Sequence, residues 1–327
     1  MTTNRAIIHI GMHKTGSTAI QHACHKHSRK LLKRGFCYPT TGTLWYGHHP
    51  VAWASGVPHP CHDEKLNINN LIDTYIKQST SKTLILSSED FFKVPNPCKS
   101  PAIEAITQAF RGIDVLAYIR NPCDWVVSSF KWNVERDPKL FPTINNFVEN
   151  CNLKGWFNFS KALKAWNKVD GSKIWIRPYV PNVVLDFTTF MGIDTLPPTE
   201  RSNTSIRSLA ALIVGELALD PTLALPDNAA KIVDQIVRDI TDADINLLDE
   251  ELAQKIIHLT EKQLRLLAEQ YPELDIAPLL VCPRGPEGLD ASEAMRVCES
   301  ALQKLPWHSH SRAMRAMHAI DNRLHHH

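Results

Sequence analysis

The first 62 residues of the chain contain neither aspartate nor glutamate, and Asp63 is the first carboxylate. The basic residues of this segment are Arg5, Lys14, Lys26, Arg29, Lys30, Lys33 and Arg34. A segment with this charge favours an anionic ligand, although the basic residues over 26–34 are typical of a solvated helix face. The whole chain is nearly balanced, with 36 basic and 34 acidic residues and a formal net charge of +2. Because a general nucleic-acid binder needs a strong basic excess, no nucleic-acid partner is expected.

The sequence also lacks an apolar run long enough to span a bilayer, so no stable membrane insertion is expected. Its start, MTTNRAIIHIG, reaches a glycine and then a lysine too early for the core of a signal peptide, which predicts a cytoplasmic protein. The eight cysteines are dispersed and include no CxxC pair. This spacing indicates neither a disulfide framework nor a zinc ribbon, and no metal ligands are predicted.

Short apolar runs alternate with helical stretches in the first part of the chain. The runs typical of buried strands are 5–10, 83–88, 114–119 and 173–176. The stretches with helical character are 17–34, 102–110, 125–136, 158–168 and 183–191. This alternation predicts an α/β fold, in which a parallel β-sheet is flanked by helices on both faces. Ligands of such sheets bind at the carboxyl ends of the strands.

The later part of the chain predicts a helical C-terminal region. Helical patterns cover 205–219, 228–240, 250–270, 289–305 and 312–323, and residues 281–288 have the composition of a linker. We therefore expect a core domain over 1–203, a helical part of the same domain over 204–282 and a C-terminal extension over 283–323. Residues 324–327 (LHHH) could be a tag remnant.

Residues 8–18 (IHIGMHKTGST) join the first predicted strand to the first predicted helix. A glycine-containing loop in this position can wrap backbone N–H groups around a phosphate at the positive end of the helix. Ser17 and Thr18 add hydroxyl donors, and Lys14 adds a point charge. An ordinary strand-to-helix turn with a surface lysine is the alternative interpretation of this segment alone.

The spacing of Gly11 and Gly16 matches the nucleotide triphosphatase loop G-x-x-x-x-G-K-[ST], but Ser17 stands where that loop has its lysine. A kinase loop needs the lysine on the β- and γ-phosphates, with Mg²⁺ on the next hydroxyl. The lysine of this chain lies earlier, at Lys14. The loop therefore favours a single 5′-phosphate group over a magnesium–triphosphate complex.

A second segment, residues 118–130 (YIRNPCDWVVSSF), also leads from a strand into a helix. Asn-Pro is a turn signal, and Asp124 is expected to cap the following helix. Arg120 leaves the sheet at its functional edge, and Ser128 lies one turn into the helix on the side of Asp124. An arginine and a hydroxyl that converge there can hold a second phosphate. Alternatively, Arg120 pairs with a nearby carboxylate and Ser128 has no special role.

Taken together, HKTGST (13–18) and YIRNPxDWxxSS (118–129) resemble the two cofactor loops of sulfotransferases that use 3′-phosphoadenosine 5′-phosphosulfate (PAPS). The sequence is most similar to the bacterial and carbohydrate-type branch, and the resemblance ends near 201–203. It implies a P-loop NTPase-like sulfotransferase fold, PAPS as the cofactor, PAP as the product and no requirement for a metal. The residues that it assigns to the 5′ end of the cofactor are Lys14, Thr15, Gly16, Ser17 and Thr18.

The same resemblance assigns the 3′-phosphate to Arg120 and Ser128. His13 lies within the first loop, where it is expected to contact the sulfonate or the acceptor. The glycine-rich closing loop of the animal cytosolic branch is not visible in this sequence.

Sulfuryl transfer requires a base for the acceptor and positive charge for the leaving phosphate. We assign the charge to Lys14 and the base to Glu89, which follows a strand end, as the base of carbohydrate sulfotransferases does. A helix-capping role for Glu89 is the alternative, because Ser-Ser-Glu-Asp also resembles a helix start. His48 and His49 are competing bases, unless both only line a loop.

Residues 37–62 contain glycine, proline, tryptophan and paired histidines with weak periodicity, which predicts a long loop over the site. Its aromatic residues Trp45, Tyr46 and Trp53 could stack on a sugar or apolar acceptor, although core packing explains some of them equally well. We therefore expect in-line transfer of a sulfuryl group from PAPS to a hydroxyl or amine of a glycan or small-molecule acceptor. The alternatives are a nucleotide-dependent P-loop kinase and a non-catalytic nucleotide-binding protein on the same fold. The sequence leaves the oligomeric state open.

Overall fold

The structure is a computed structural model that describes residues 5–80, 82–194, 196–197, 205–282, 289–305, 316–318 and 320–321. The chain forms two compact units that interleave along the sequence. The first unit comprises Met1–Arg120, Asn158–Ser202 and Gln263–Ile276, and the second comprises Asn121–Phe157, Asn203–Lys262 and Ala277–His327. The predicted division of the chain at residues 203, 282 and 323 stays a prediction.

The first unit contains a five-stranded sheet in which every pair of neighbouring strands is parallel. Its strands are β1 (Arg5–His9), β2 (Phe36–Cys37), β3 (Thr83–Ser87), β4 (Gly112–Ile119) and β5 (Ser172–Pro178). The four predicted strands and the parallel α/β architecture are confirmed. β2 was not predicted, because two residues are too short to give an apolar run.

The strand order is β2-β3-β1-β4-β5. After β1 the chain moves toward one edge of the sheet to form β2, and after β4 it moves toward the opposite edge to form β5. The carboxyl ends of the adjacent strands β1 and β4 therefore lie at a topological switch point, where ligands of open α/β sheets bind. Both strands are almost entirely buried, as their continuous apolar sequences predict.

The described part of the chain contains α-helices in both units. They are α1 (Ser17–Lys26), α2 (Ser28–Lys33), α3 (His49–Ala54), α4 (Ile68–Gln78), α5 (Pro101–Ala109), α6 (Pro122–Arg136), α7 (Ile144–Leu153), α8 (Phe159–Trp166), α9 (Val183–Phe190), α10 (Ser208–Ala218), α11 (Ala229–Ile240), α12 (Glu250–Gln270) and α13 (Ala291–Gln303). Short 3₁₀ helices lie at Glu89–Lys93, Pro97–Lys99 and Ala277–Leu279. In the described part of the chain, no helix is both long enough and apolar enough to cross a membrane.

Most predicted helices are confirmed to within a few residues. The stretch 17–34 is two helices, because the backbone of His27 leaves the helical conformation between α1 and α2. The segment 37–62, predicted as a loop, contains α3, and α4 and α7 were not predicted. The predicted helix over 312–323 lies mostly outside the described residues, of which 316–318 and 320–321 are helical.

An ion pair between β5 and α9 fixes α9 in the first unit. The guanidinium of Arg177, on β5, donates to both carboxylate oxygens of Asp186, on α9, at 2.6 Å each. The hydroxyl of Tyr118, on β4, donates to the same carboxylate at 2.7 Å. Because α9 also packs against α1, this cluster positions Val183 beside the loop that follows β1.

The second unit is helical in its described part. Every residue of α10 is buried, and the carboxylate of Asp244 accepts hydrogen bonds from the first backbone N–H groups of that helix, at 2.8 Å from Ser208 and 3.0 Å from Leu209. A Cβ on Gly215 would lie 2.1 Å from the carbonyl oxygen of Pro142, so only glycine fits at that position.

Candidate functional site

The loop between β1 and α1 folds back on itself. The backbone of Lys14 is left-handed, with a φ of 64°, and so is that of Gly16, with a φ of 77°. The Thr15 side chain is fully buried, and its hydroxyl donates to the carbonyl oxygen of Met12 at 2.5 Å. Thr15 therefore closes the loop from inside, whereas Thr18 is exposed. A turn of this kind directs successive backbone N–H groups to one side, where they can bind an anion.

Both glycines of the loop lie close to other side chains. A Cβ on Gly16 would lie 2.7 Å from Cγ1 of Val183 and 3.2 Å from Cε2 of Tyr179. A Cβ on Gly11 would lie 2.5 Å from Oγ of Ser17. The glycine spacing that was noted in the sequence therefore corresponds to two close approaches in the first unit.

The N-terminus of α1 carries the features of an anion site. Gly16 occupies the capping position and offers no side-chain hydrogen bond, and the first turn of α1 contains no acidic residue. The hydroxyl of Ser17 is buried, and it has no hydrogen-bond partner among the described residues. Free backbone N–H groups, the positive end of the helix dipole and a buried hydroxyl without a partner all favour a bound anion at this point.

Arg120 connects the end of β4 to this loop. Its Nη1 donates to the carbonyl oxygen of Lys14 at 3.0 Å, and its guanidinium lies over the ring of Tyr179 at 5.0 Å from the ring centroid. Its Nε atom is buried without a hydrogen-bond partner in the described part of the chain. The first unit therefore brings Arg120 and Lys14, from the two predicted loops, to the switch point of the sheet.

The remainder of the second loop lies in the second unit. Asn121 caps α6, because its side-chain oxygen accepts hydrogen bonds from the backbone N–H groups of Cys123 at 2.9 Å and Asp124 at 3.3 Å. The cap is thus Asn121, and the expectation that Asp124 caps this helix is wrong. Ser128 is half-buried on α6, and its role in phosphate binding stays a prediction.

Two carboxylates follow the carboxyl end of β3. Glu89 begins the 3₁₀ helix, and one of its oxygens accepts a hydrogen bond from the buried side-chain amide of Gln21 at 2.9 Å. The hydroxyl of Ser88 caps that helix by accepting from the N–H group of Asp90 at 3.1 Å. Since Ser88 supplies the cap, the Glu89 side chain is directed elsewhere, toward Gln21 on α1.

Asp90 is the centre of a cluster of positive and hydrogen-bonding groups. Its carboxylate accepts a hydrogen bond from the Trp53 indole at 2.9 Å and contacts the ammonium of Lys93 at 3.2 Å. It also lies 3.5 Å from Nε2 of His13 and 3.6 Å from Nδ1 of His49. Asp90 therefore contacts both His13, from the loop after β1, and His49, from the segment predicted as a loop.

The surroundings keep both carboxylates ionised. Burial raises the pKa of Glu89, but the nearby His13 and His49 and the Gln21 amide outweigh it, and the net pKa lies below the ordinary value. For Asp90 the same balance holds the pKa well below its usual range, because burial is outweighed by the contacts described above. Both side chains therefore carry negative charge near neutral pH.

His48 and His49 differ in what their ring nitrogens contact. His48 is fully buried; its Nδ1 accepts from the N–H group of Ser87 at 3.1 Å, and its Nε2 lies 3.0 Å from the carbonyl oxygen of Pro39. Burial lowers the pKa of His48 to about 3. Both nitrogens are used within the fold, which argues against proton transfer by His48. Nδ1 of His49 lies 2.8 Å from the Ser88 hydroxyl, close to both carboxylates.

The sequence did not single out His9, Gln21 or Asp90 as site residues. His9 ends β1 with Nδ1 2.8 Å from the Ser87 hydroxyl, and burial lowers its pKa to about 4 against the attraction of Glu89. A histidine at the end of a buried strand and a glutamine beside the buried stripe of α1 were the available signals. Their partners lie on β3 or just after it, and sequence spacing does not reveal those contacts.

We expect the loop to be intolerant of a side chain at Gly16. Gly171 has a similar φ of 68° but no atom within 4 Å of an added Cβ, so Gly171→Ala carries only the backbone penalty of about 1–2 kcal/mol. Gly16→Ala adds the clash with Val183 and is expected to cost at least about 1 kcal/mol more. Urea denaturation of the two variants measures the difference, and equal losses would show that the loop is not packed against α9.

The two buried histidines predict an acid-sensitive fold. Below pH 6.5 the unfolded chain protonates His9 and His48, whereas the folded chain does not until about pH 4 and about pH 3. The unfolded state thus binds more protons, and stability falls as the pH falls through this window, by up to about 1.4 kcal/mol per pH unit for each ring.

Unfolding free energies measured between pH 6.5 and 4.5 test this expectation. His48→Asn should give a shallower slope than the wild type, and replacement of the exposed His258 should leave the slope unchanged. An unaltered slope in His48→Asn would show that the buried ring is not held neutral.

Comparison of the chain with protein-family models, curated proteins and solved structures gave no match. The family resemblance therefore depends on the two loop motifs.

Proposed function

We propose that this chain is a PAPS-dependent sulfotransferase with a P-loop-like fold, which transfers a sulfuryl group to an acceptor hydroxyl or amine. One observation carries the proposal: Arg120, after β4, contacts the backbone of Lys14 in the loop after β1. A guanidinium and the loop that we propose to bind phosphate, which follow separate strands, are thus in contact at the switch point of a parallel sheet. A nucleotide with phosphates at both its 5′ and 3′ positions carries one negative group for the loop after β1 and a second one for Arg120.

The residues of the first unit fit the cofactor. The uncapped N-terminus of α1 and the buried, unpartnered hydroxyl of Ser17 suit the 5′-phosphate. The buried Nε of Arg120, also without a partner in the described residues, suits the 3′-phosphate. PAPS, when bound, supplies the sulfuryl group, and PAP remains after transfer. Thr15 and Gly16 contribute backbone groups of the loop, and Thr18 contributes its exposed hydroxyl. The role of Ser128 at the 3′-phosphate stays a prediction.

Glu89 is the residue we assign as the base. It is ionised near neutral pH, and in the proposed step it accepts the proton of the acceptor hydroxyl as the acceptor oxygen forms its bond to sulfur and the bond from sulfur to the departing phosphate breaks. Lys14 supplies positive charge at the phosphate that departs. His13 and His49 contact Asp90 and are positioned to influence the charge at Glu89. No side chain has to form a covalent intermediate.

A kinase is the main alternative, and nucleotide-dependent melting separates the two. We expect PAP without Mg²⁺ to raise the melting temperature, since a ligand at 100 times its Kd adds about 2.7 kcal/mol of stability. Ser17→Ala and Arg120→Met should each weaken PAP binding by about 10–100-fold, because each removes a hydrogen bond to a charged phosphate. Arg34→Met is a matched control, since Arg34 pairs with Asp194 in the same unit.

Stabilisation by Mg-ATP but not by PAP would favour the kinase and contradict the proposal. Equal PAP binding by wild type and both site variants would contradict the assignment of the phosphate groups. Transfer of labelled sulfate from PAPS into cell-extract acceptors by the wild type, and its loss in Glu89→Gln with PAP binding retained, separates an enzyme from a non-catalytic nucleotide-binding protein.

A further inference from the structure

An aromatic turn lies beside the carboxylates of the first unit. Leu44 and Gly47 exchange two backbone hydrogen bonds, of 3.0 and 2.8 Å, around the central residues Trp45 and Tyr46. The φ angles of these two residues are 46° and 72°. Positive φ at both central positions is the geometry of a type I′ turn, which strongly favours asparagine and glycine.

Trp and Tyr are unfavourable residues for this backbone. A bulky side chain in the left-handed region is an outlier, and such strain persists only where the surrounding structure holds it. Here the hydroxyl of the buried Tyr38 donates to the carbonyl oxygen of Tyr46 at 2.7 Å, and the Tyr46 ring stacks on His22 with centroids 4.5 Å apart. The turn is therefore anchored through Tyr46.

Core packing does not account for Trp45, because 62% of its surface is exposed. Its ring meets three other rings only in edge arrangements, with centroids 5.9–6.3 Å apart. These are the rings of His49, Trp53 and His59, of which the last two stack in parallel at 4.1 Å. The Trp45 ring thus packs by its edge contacts against a stacked pair of rings, and most of its surface stays exposed to solvent.

The turn lies close to Glu89, the proposed catalytic base. A Cβ on Gly47 would lie 2.6 Å from Nε2 of His49 and 3.0 Å from Cδ of Gln21. Gln21 is the donor to Glu89, and Trp53 is the donor to Asp90. Trp45 is therefore separated from each carboxylate by few side chains, all of them in the first unit.

We propose that Trp45 is the stacking surface for the acceptor, and that the acceptor carries its hydroxyl on a ring with an apolar face. Aromatic side chains bind such faces by burial and ring geometry, while a few polar groups fix the orientation. The acceptor ring is either a pyranose or a phenol, because both carry a hydroxyl on a ring with an apolar face. The role of the hydroxyl rests on the proposed function, whereas ring binding by Trp45 does not.

Binding of two ring probes, cellobiose and p-cresol, tests this assignment without any activity measurement. Each probe is titrated by NMR into the full-length protein with and without PAP. The proteins are the wild type, Trp45→Asn, Trp45→Phe and Trp156→Asn. Asparagine tolerates the left-handed backbone, so Trp45→Asn is expected to melt no lower than the wild type. Trp156 is a matched control, because it is exposed and belongs to the second unit.

We expect at least tenfold weaker binding of one or both probes to Trp45→Asn, with most of the affinity retained in Trp45→Phe and all of it in Trp156→Asn. Preference for cellobiose identifies a sugar acceptor, and preference for p-cresol a phenolic one. Wild-type affinity in Trp45→Asn, no binding of either probe to the wild type, or equal losses in the Phe and Asn variants would overturn the inference. A wild type that binds a probe through Trp45 but does not bind PAP would contradict the proposed function alone.

Discussion

The site depends on how the chain reverses between β1 and α1. The left-handed backbone of Lys14 and Gly16 makes the reversal, the buried Thr15 hydroxyl closes it, and Arg120 holds it from the neighbouring strand. The reversal is possible only because Gly16 has no side chain where Val183 packs. It leaves the N-terminus of α1 uncapped at the switch point of the sheet, and the proposed nucleotide site follows from that geometry.

Charge is divided between two neighbouring regions of the first unit. The segment before Asp63 carries no carboxylate, and His13, in the loop after β1, contacts Asp90 at the end of β3. There Glu89 and Asp90 stay ionised because histidines and hydrogen-bond donors surround them. In the proposed function, the first region binds the anionic cofactor and Glu89 in the second accepts a proton. Sulfuryl transfer needs both functions close together.

Local patterns in the sequence predicted four of the five strands, most helices and the two loops, because each is encoded by adjacent residues. The glycine spacing, for example, identified the loop whose close packing the structure shows. Contacts between distant segments could not be predicted. Nothing in the sequence distinguishes His48, whose two ring nitrogens are occupied by the backbone of Pro39 and Ser87, from its neighbour His49 beside the carboxylates.

The most direct test of the account is a crystal structure of the protein with PAP bound. We predict that one phosphate lies against the backbone N–H groups at the start of α1, within hydrogen-bond distance of the Ser17 hydroxyl, and that the other phosphate lies on the guanidinium of Arg120. A nucleotide bound elsewhere, or a single phosphate at the loop with Arg120 unchanged and directed away from the ligand, would contradict it.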